Sequence, residues 1–328
     1  MIHREPGLWA CTCLALCVAG PTVQAEPFLV RDQNPLIRGV YLPLGRPVLP
    51  SDASWRQDLA LTISNTTNIE SRNGEELLVD GESTELRWNG SWRVARRWQL
   101  QFSIPVVHYS GGHLDSVIDD WHRLLGLPRG DRPLRPENEL EFAYLAGQGA
   151  SGAAIDITGS HTGIADSSIE AGFTALSTAA TTIDVWLGLE LPTGETHALT
   201  SNGAVDVAGW ISGQWQLGRD WRLDATLGMS RPGSVDPLPL EASSVIPFGT
   251  VALSWDAGTR YGLAMQVDAH DSCVKDSDLD FLGAAVLLTI GGHYRTAGGW
   301  RFELAVTEDV RVGGSPDVAF YFGIRRQH

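Results

Sequence analysis

From Trp55 to the C-terminus, apolar and polar residues alternate with period two in short runs, the spacing of strands that keep one face greasy and the other wet. The alternation is clearest after short polar turns. Trp98, Leu100, Phe102 and Ile104 follow Ala95-Arg96-Arg97, and Trp221, Leu223, Ala225 and Leu227 follow Gly218-Arg219-Asp220. Tyr261, Leu263, Met265 and Val267 follow Ala257-Gly258-Thr259-Arg260, and Trp300, Phe302, Leu304 and Val306 follow Ala297-Gly298-Gly299. Ile183, Val185, Leu187 and Leu189 repeat the pattern without the aromatic. Between these positions lie Gln99, Gln101, Asp184, Glu190, Arg222, Asp224, Gln266, Arg301 and Glu303. Strands leading into the same turns end in Trp92, Trp215 and Trp255.

Aromatics thus flank the short turns on both sides. A soluble sandwich has no reason to ring one end of its strands with Trp and Tyr. A membrane barrel does, because amphipathic rings settle at the membrane interface while an apolar band faces lipid. The predicted fold is all-β, a transmembrane antiparallel β-barrel with a girdle of Trp92, Trp98, Trp215, Trp221, Trp255, Tyr261 and Trp300. Asp184, Glu190, Arg222, Asp224 and Glu303 face its lumen, with Trp186 and Trp210 among the inward aromatics. The pattern predicts fourteen strands: 55–65, 75–94, 98–109, 137–147, 151–159, 164–178, 181–192, 203–217, 220–231, 243–256, 260–271, 278–295, 299–310 and 316–326. The pair 137–147 and 151–159 is interrupted by glycines and lacks the aromatic mark, so twelve is the alternative.

One stretch, in the loop 110–136, has helical spacing instead. Val117, Ile118, Trp121, Leu124 and Leu125 form an apolar stripe, Asp115 is positioned to cap it, and Gly126 and Pro128 stop it. Asp119, Asp120, His122 and Arg123 lie opposite, and Gly111-Gly112 permits a sharp turn out of the preceding strand. Asp115, Asp119, Asp120, Trp121, His122 and Arg123 are the candidate lid residues. Two docking places are open to the helix, the barrel mouth and the lipid interface; the mouth is favoured because its acids would meet a charged lumen. Residues 112–133 would then form a lid or constriction.

The order Gly-Gly-x-x-Asp-Ser-x-Ile-x-Asp-Trp-His followed by Gly-Leu-Pro resembles the proteobacterial family known as domain of unknown function 3187. Asn34-Pro35 and Leu42-Pro43 resemble the way its members begin. A local likeness, Leu191-Pro192-Thr193-Gly194 through Gly209, resembles outer-membrane proteins of phenol meta-pathway degradation. Val318, Phe320, Phe322 and Ile324 resemble the C-terminal signal read by the barrel assembly machinery, although the chain runs on to Arg325-Arg326-Gln327-His328.

Composition adds the compartment. Residues 1–25 read as a signal peptide ending Val23-Gln24-Ala25, which removes Cys11, Cys13 and Cys17 and leaves Cys273 alone. Residues 26–54, with prolines at 27, 35, 43, 47 and 50, are irregular: a lead-in at the periplasmic end or a plug entering the lumen. The net charge of −15 argues against nucleic acid. The expected partners are outer-membrane lipid and lipopolysaccharide, the assembly machinery during insertion, and a small-molecule solute.

Candidate chemistry is thin. His108, His113, Asp115, Asp119 and His122 cluster in sequence, but capping and dipole roles account for the acids, with His122 in solvent. His197 with Ser201 and His161 with Ser167 lack a nucleophile-elbow context. The acidic run 268–280 lacks the Gly and terminal Glu of an EF-hand loop. No metal, cofactor or catalytic residue is assigned. The expectation is a passive outer-membrane channel for small, including apolar, solutes; a structural or surface-interaction barrel is the alternative, and a lipid-modifying enzyme comes third.

Overall fold

The computed structural model describes residues 26–46, 49, 53–126, 131–146, 154–311 and 313–327, the side chains of Trp121, Leu125 and Gln327 excepted. The signal-peptide region and its cysteines, Pro128, and the side-chain contacts of Trp121 lie outside the described residues.

The alternating runs become β1 (Trp55–Arg72), β2 (Glu75–Ala95), β3 (Trp98–Ser110), β4 (Glu141–Leu145), β5 (Ile155–Ile157), β6 (His161–Ile164), β7 (Ser167–Ser177), β8 (Thr181–Leu191), β9 (Asp206–Gln216), β10 (Trp221–Arg231), β11 (Ile246–Ala257), β12 (Tyr261–His270), β13 (Ala285–Arg295), β14 (Trp300–Asp309) and β15 (Val318–Gln327). Helix α1 (Asp115–Leu125) interrupts them. Each strand pairs antiparallel with its neighbours, and β1 pairs with β15 from Arg56↔Gln327 to Asn65↔Val318, so the sheet closes on itself. Closure leaves no unpaired edge within the wall. The closed wall is β1, β2, β3 and β7 to β15, twelve strands among the described residues.

The count of fourteen is therefore corrected to its alternative. The predicted strands 137–147 and 151–159 are the short β4 and β5, which do not cross the wall. They extend the sheet from the far end of β2, in the register Leu77↔Tyr144 and Val79↔Phe142, and β5 pairs on through Phe142↔Ile157. The physical reason is the length of β2: its 21 residues span roughly 70 Å at about 3.3 Å each, far more than an apolar band of about 25 Å requires. The surplus end needs a pairing partner, and β4 supplies it, with β5 pairing on to β4. The predicted strand 164–178 becomes β7, paired with the lower half of β3, while β6, which falls almost wholly between the predicted strands 151–159 and 164–178, pairs with the upper half.

Short connections gather at one end of the barrel, where Gly218, Gly258 and Gly299 hold φ between 77° and 103°, a left-handed backbone that only glycine adopts without strain. Longer loops gather at the other. Along each wall strand alternate residues are exposed and buried, as in β11 from Ile246 to Ala257. Leu187, Leu227, Leu263 and Leu304 lie on the outside, while Asp184, Arg222 and Gln266 lie within. The girdle residues Trp92, Trp98, Trp221, Trp255, Tyr261 and Trp300 are exposed near the short turns, and Trp215 is half-buried. Cross-strand register builds this ring in pairs: Trp221 opposite Trp255 at 6.3 Å, Tyr261 opposite Tyr294 at 5.1 Å, Trp98 opposite Phe173 at 5.1 Å. In the terminal strand Phe322 and Ile324 are exposed on the outer face, but Val318 is fully buried where the loops cover it.

Candidate functional site: the barrel interior

The inner wall carries charge in register. Arg295 lies opposite Arg301, Arg301 opposite Arg325, and Arg325 opposite Asp58. Like charges directly across a sheet repel, so the row requires acids close by. Arg301 Nε lies 2.6 Å from Glu303, Arg222 Nε 2.7 Å from Asp224 and Arg56 Nε 3.3 Å from Asp58, and Arg325 pairs with Asp58 as well. The Tyr321 hydroxyl donates to Glu303 at 2.9 Å. Asp184 accepts from the Thr174 hydroxyl at 2.6 Å, and Glu190 lies 3.9 Å from Arg31. All five acids and bases expected in the lumen are buried there. Trp186 and Trp210 stack inside at 5.8 Å, with Phe248 edge-on to Trp210.

What fills this interior is the stretch 26–46, whose lack of sequence period left its path unreadable. It begins among the arginines at the short-turn end. The Glu26 carboxylate pairs with Arg325, with Arg56 3.8 Å away, and the Glu26 carbonyl accepts from Arg301 at 3.2 Å. The chain then climbs. Phe28 N donates to Gln266 at 2.8 Å, Asp32 meets His270 Nε2 at 3.0 Å, and the Asn34 amide donates to the Phe281 carbonyl at 2.7 Å. A turn follows, closed by Val40 N donating to Ile37 O. On the way back Arg38 reaches Glu85 at 2.7 Å and the Tyr109 hydroxyl at 2.8 Å. Tyr41 N donates to Asp206 and its hydroxyl to Glu170, and Arg46 pairs with Glu170 at 2.8 Å. Leu49 N meets Gln99 near the start of β3. Sequence reasoning did not single out Arg31, Asp32, Arg38 or Arg46; their signal was the presence of charges in a proline-rich stretch too short to have a surface of its own.

The tip of this hairpin closes the loop end. Leu36, Ile37 and Val40 pack with Leu77, Val79 and Tyr109 of the wall, with Phe142 and Tyr144 of β4, and with Leu199, Val235, Leu279 and Phe281 of the loops. That cluster, rather than α1, occupies the mouth. Burial of this kind is worth about 1.5–3 kcal/mol per large side chain, so the tip is held by packing and the two legs by ion pairs together with the packing of Phe28, Leu29, Val30, Tyr41 and Leu44 against the inner wall.

Helix α1 sits elsewhere. On β2, Leu77, Val79, Ser83 and Glu85 point inward, so Asp80 and Glu82 belong to the outer phase, as do their partners Thr67 and Asn65 on β1. The helix segment is anchored to this outer phase. Glu82 accepts the N–H groups of His113 and Leu114, and Asp115 accepts from Asn65 at 2.8 Å, from Arg132 at 3.2 Å and from Asn138 N at 2.7 Å. Arg135 pairs with Asp80 at 2.8 Å. Asp115 is thus not the N-cap, which is Leu114 without a side-chain bond; it is a clamp between the helix and the wall. The buried face is that of Ile118 (0% exposed) and His122 (4%), whereas Leu124 of the apolar stripe is 79% exposed and Val117 is exposed too. The expectation that His122 is solvated is corrected, and of the apolar stripe Ile118 docks while Val117 and Leu124 do not. Asp119 is partly buried, and Asp120 with Arg123 forms an exposed i,i+3 pair at 2.6 Å. Gly112, at φ 72°, would drive a Cβ into the Glu82 carboxylate, so Gly111-Gly112 serves the Glu82 clamp rather than a fold back into the mouth. Arg132 also reaches Asp317 at 2.9 Å, whose carboxyl burial pushes up to about 6 against the pull of that guanidinium.

The serine and histidine pairs do not assemble. His197 is exposed and meets Glu195 at 3.1 Å, while His161 faces the carbonyls of Gly159 and Ala198 and the Ser167 hydroxyl accepts from Thr193. Of the other histidines, His108 meets Thr162 at 2.8 Å. A cavity of about 600 Å³ lies between β5, β6 and residues 193–200, and one of about 820 Å³ opens mainly on the outer wall over Ala225, Gly249 and Ala269. Among the described residues no helix is long and apolar enough to cross a membrane, which says nothing of strands.

The chain is similar to several solved structures. A COG4313 outer membrane channel from Pseudomonas putida F1 matches 86% of this chain and 100% of its own, with a TM-score of 0.55 at 12% identity. The toluene transporter TbuX of Ralstonia pickettii matches 84% and 90%, with a TM-score of 0.41 at 9% identity. The KdgM porin matches 83% and 99%, with a TM-score of 0.44 at 8% identity. At these identities the likeness is one of fold. No curated protein matches the chain. A family model described as protein of unknown function (DUF3187) matches residues 7–328, and the chain belongs to that family.

Proposed function

We propose that the protein is an outer-membrane channel for small solutes, passive in mechanism and closed in the structure described. The observation that carries this reading is the hairpin 26–46: a segment that enters and leaves by the short-turn end and runs the height of the lumen. It is tied to the wall by discrete ion pairs, Glu26–Arg325, Asp32–His270, Arg38–Glu85 and Arg46–Glu170, rather than by strand pairing. Side-chain ties of this kind can be exchanged one at a time for water, whereas a sheet ladder cannot. The exposed leucines and the Trp/Tyr ring set the wall in a bilayer, the short turns on the periplasmic side and the long loops outside. The likeness to outer-membrane channels in fold supports the same compartment. Passage then requires the hairpin to leave the lumen at least in part.

A structural barrel without transport is the second reading, and a specific observation favours it: the loop-end cluster packs as a protein core does, with Tyr109, Tyr144 and Phe281 fully buried. The two part in a planar bilayer. A channel gives discrete openings in salt and loses little of its folded signature on gels; a structural barrel stays silent at every potential tested, and a deletion strain keeps its permeability to a panel of small compounds.

A further inference from the structure

We infer that the short-turn end of the lumen holds a binding site for a small carboxylate with a compact apolar body, and that in this structure the chain's own Glu26–Phe28 occupies it. The inference rests on the channel reading and names its solute class.

Two layers of the inner wall make the site. The lower is the register row Arg295, Arg301 and Arg325, three arginines side by side on adjacent strands, with Arg56 next to it. Wall acids answer only part of this charge. Asp256 lies near Arg295, Asp58 and Glu303 are shared among Arg56, Arg301 and Arg325, and the Glu26 carboxylate enters from outside the wall to complete the set. Three guanidinium groups placed opposite one another need an anion among them, and guanidinium suits a carboxylate through paired, charge-assisted hydrogen bonds.

The upper layer is two inward positions further along the same strands, beyond the row His293, Glu303 and Gly323. Ala264, Gly291 and Ala305 lie directly opposite one another across β12, β13 and β14, and Tyr321 lies opposite Ala305 on β15. Above the long charged side chains of the lower layer, Ala264, Gly291 and Ala305 leave a recess. Phe28 fills it, packed with Ala60, Ala264, Ala305 and Tyr321 and edge-on to the Tyr321 ring at 5.9 Å. Carboxylate below, ring above: the first residues of the hairpin present the shape of a carboxylate joined to an apolar group.

A solute of that chemistry competes with the hairpin for its foothold. When it binds, Glu26 and Phe28 are displaced and the first leg is free of the arginine row. The charges balance in both states, since one carboxylate replaces another.

The test uses full-length protein in detergent and in bilayers, with 3-phenylpropanoate as probe, acetate as the carboxylate alone and 3-phenylpropan-1-ol as the apolar body alone. Glu26→Gln removes the internal competitor's charge while keeping its shape. Binding of 3-phenylpropanoate by calorimetry is expected to tighten at least tenfold in this variant over wild type, with acetate weaker and the alcohol weaker still. Ala305→Leu added to Glu26→Gln fills the recess and is expected to reduce 3-phenylpropanoate to the level of acetate. Equal binding of the alcohol and the acid, or no gain in Glu26→Gln, overturns the site. Potassium chloride conductance in the same preparations separates the two readings: conductance without carboxylate binding removes this inference and leaves the channel, while binding in a silent barrel keeps the site and removes the channel.

Discussion

Leu304 and Glu303 are neighbours in sequence on opposite sides of the wall, and their fates define what an inside and an outside mean here. Leu304 is exposed on β14; Glu303 is buried against Arg301 and the Tyr321 hydroxyl. An arginine at 304 meets hydrocarbon if the wall spans a bilayer, and Leu304→Arg is expected to cost about 2–4 kcal/mol in a lipid refolding titration near the midplane. Glu303→Ala is not a mild change, because it removes the acid that Arg301 and Arg325 share. Breaking one half of a buried pair costs about 3–5 kcal/mol, and adding Arg301→Met should recover much of it. No lumen substitution should rescue Leu304→Arg. A Leu304→Arg variant as stable in lipid as wild type would place the outer phase outside a bilayer. These positions were legible because period two fixes the side of every residue once the greasy side is known. Glu26, Asp32, Arg38 and Arg46 were not legible, because a residue that touches wall on all sides obeys no period.

At the scale of elements, the helix shows how a correct element can be given a wrong place. Spacing marked α1 correctly, and its apolar stripe argued for docking by that stripe. The partners that decide its position are polar and distant in sequence: Asn65 lies 50 residues before Asp115, and Glu82 lies 31 before His113. Nothing in residues 110–136 announces them. The first count of fourteen gave way to its alternative of twelve for a related reason, since alternation shows that a segment is extended and two-faced but not that it crosses the wall; β4 extends the overlong end of β2 and β5 pairs on beyond it. With α1 on the outer phase of β1 and β2, replacing 112–133 by a short Gly-Ser link should leave single-channel conductance unchanged in the folded protein. A clear rise in conductance would return the helix to the mouth. Gly112→Ala should loosen the Glu82 clamp and increase protease cleavage within the helix loop, again without altering conductance.

For the whole molecule, the barrel is an ordinary solution to closing an alternating sheet, and its function turns on the segment that fills it. The wall was readable from periodicity, the girdle from aromatic spacing, and the buried acids from their phase. The filling was not, because residues 26–46 fold only against a lumen that the rest of the chain must first build. The central claim is that this hairpin must move for solute to pass, and the most direct measurement is conductance with its first leg held in place. Asp32 and His270 meet at 3.0 Å near the loop end, and replacing both removes an ion pair whole, which is milder than stranding one partner. In an Asp32→Cys/His270→Cys variant with Cys273→Ser, a short thiol-reactive crosslink released by reductant should abolish single-channel openings, and reductant should restore them to the wild-type level. Crosslinked protein that conducts as freely as the reduced form would contradict the account.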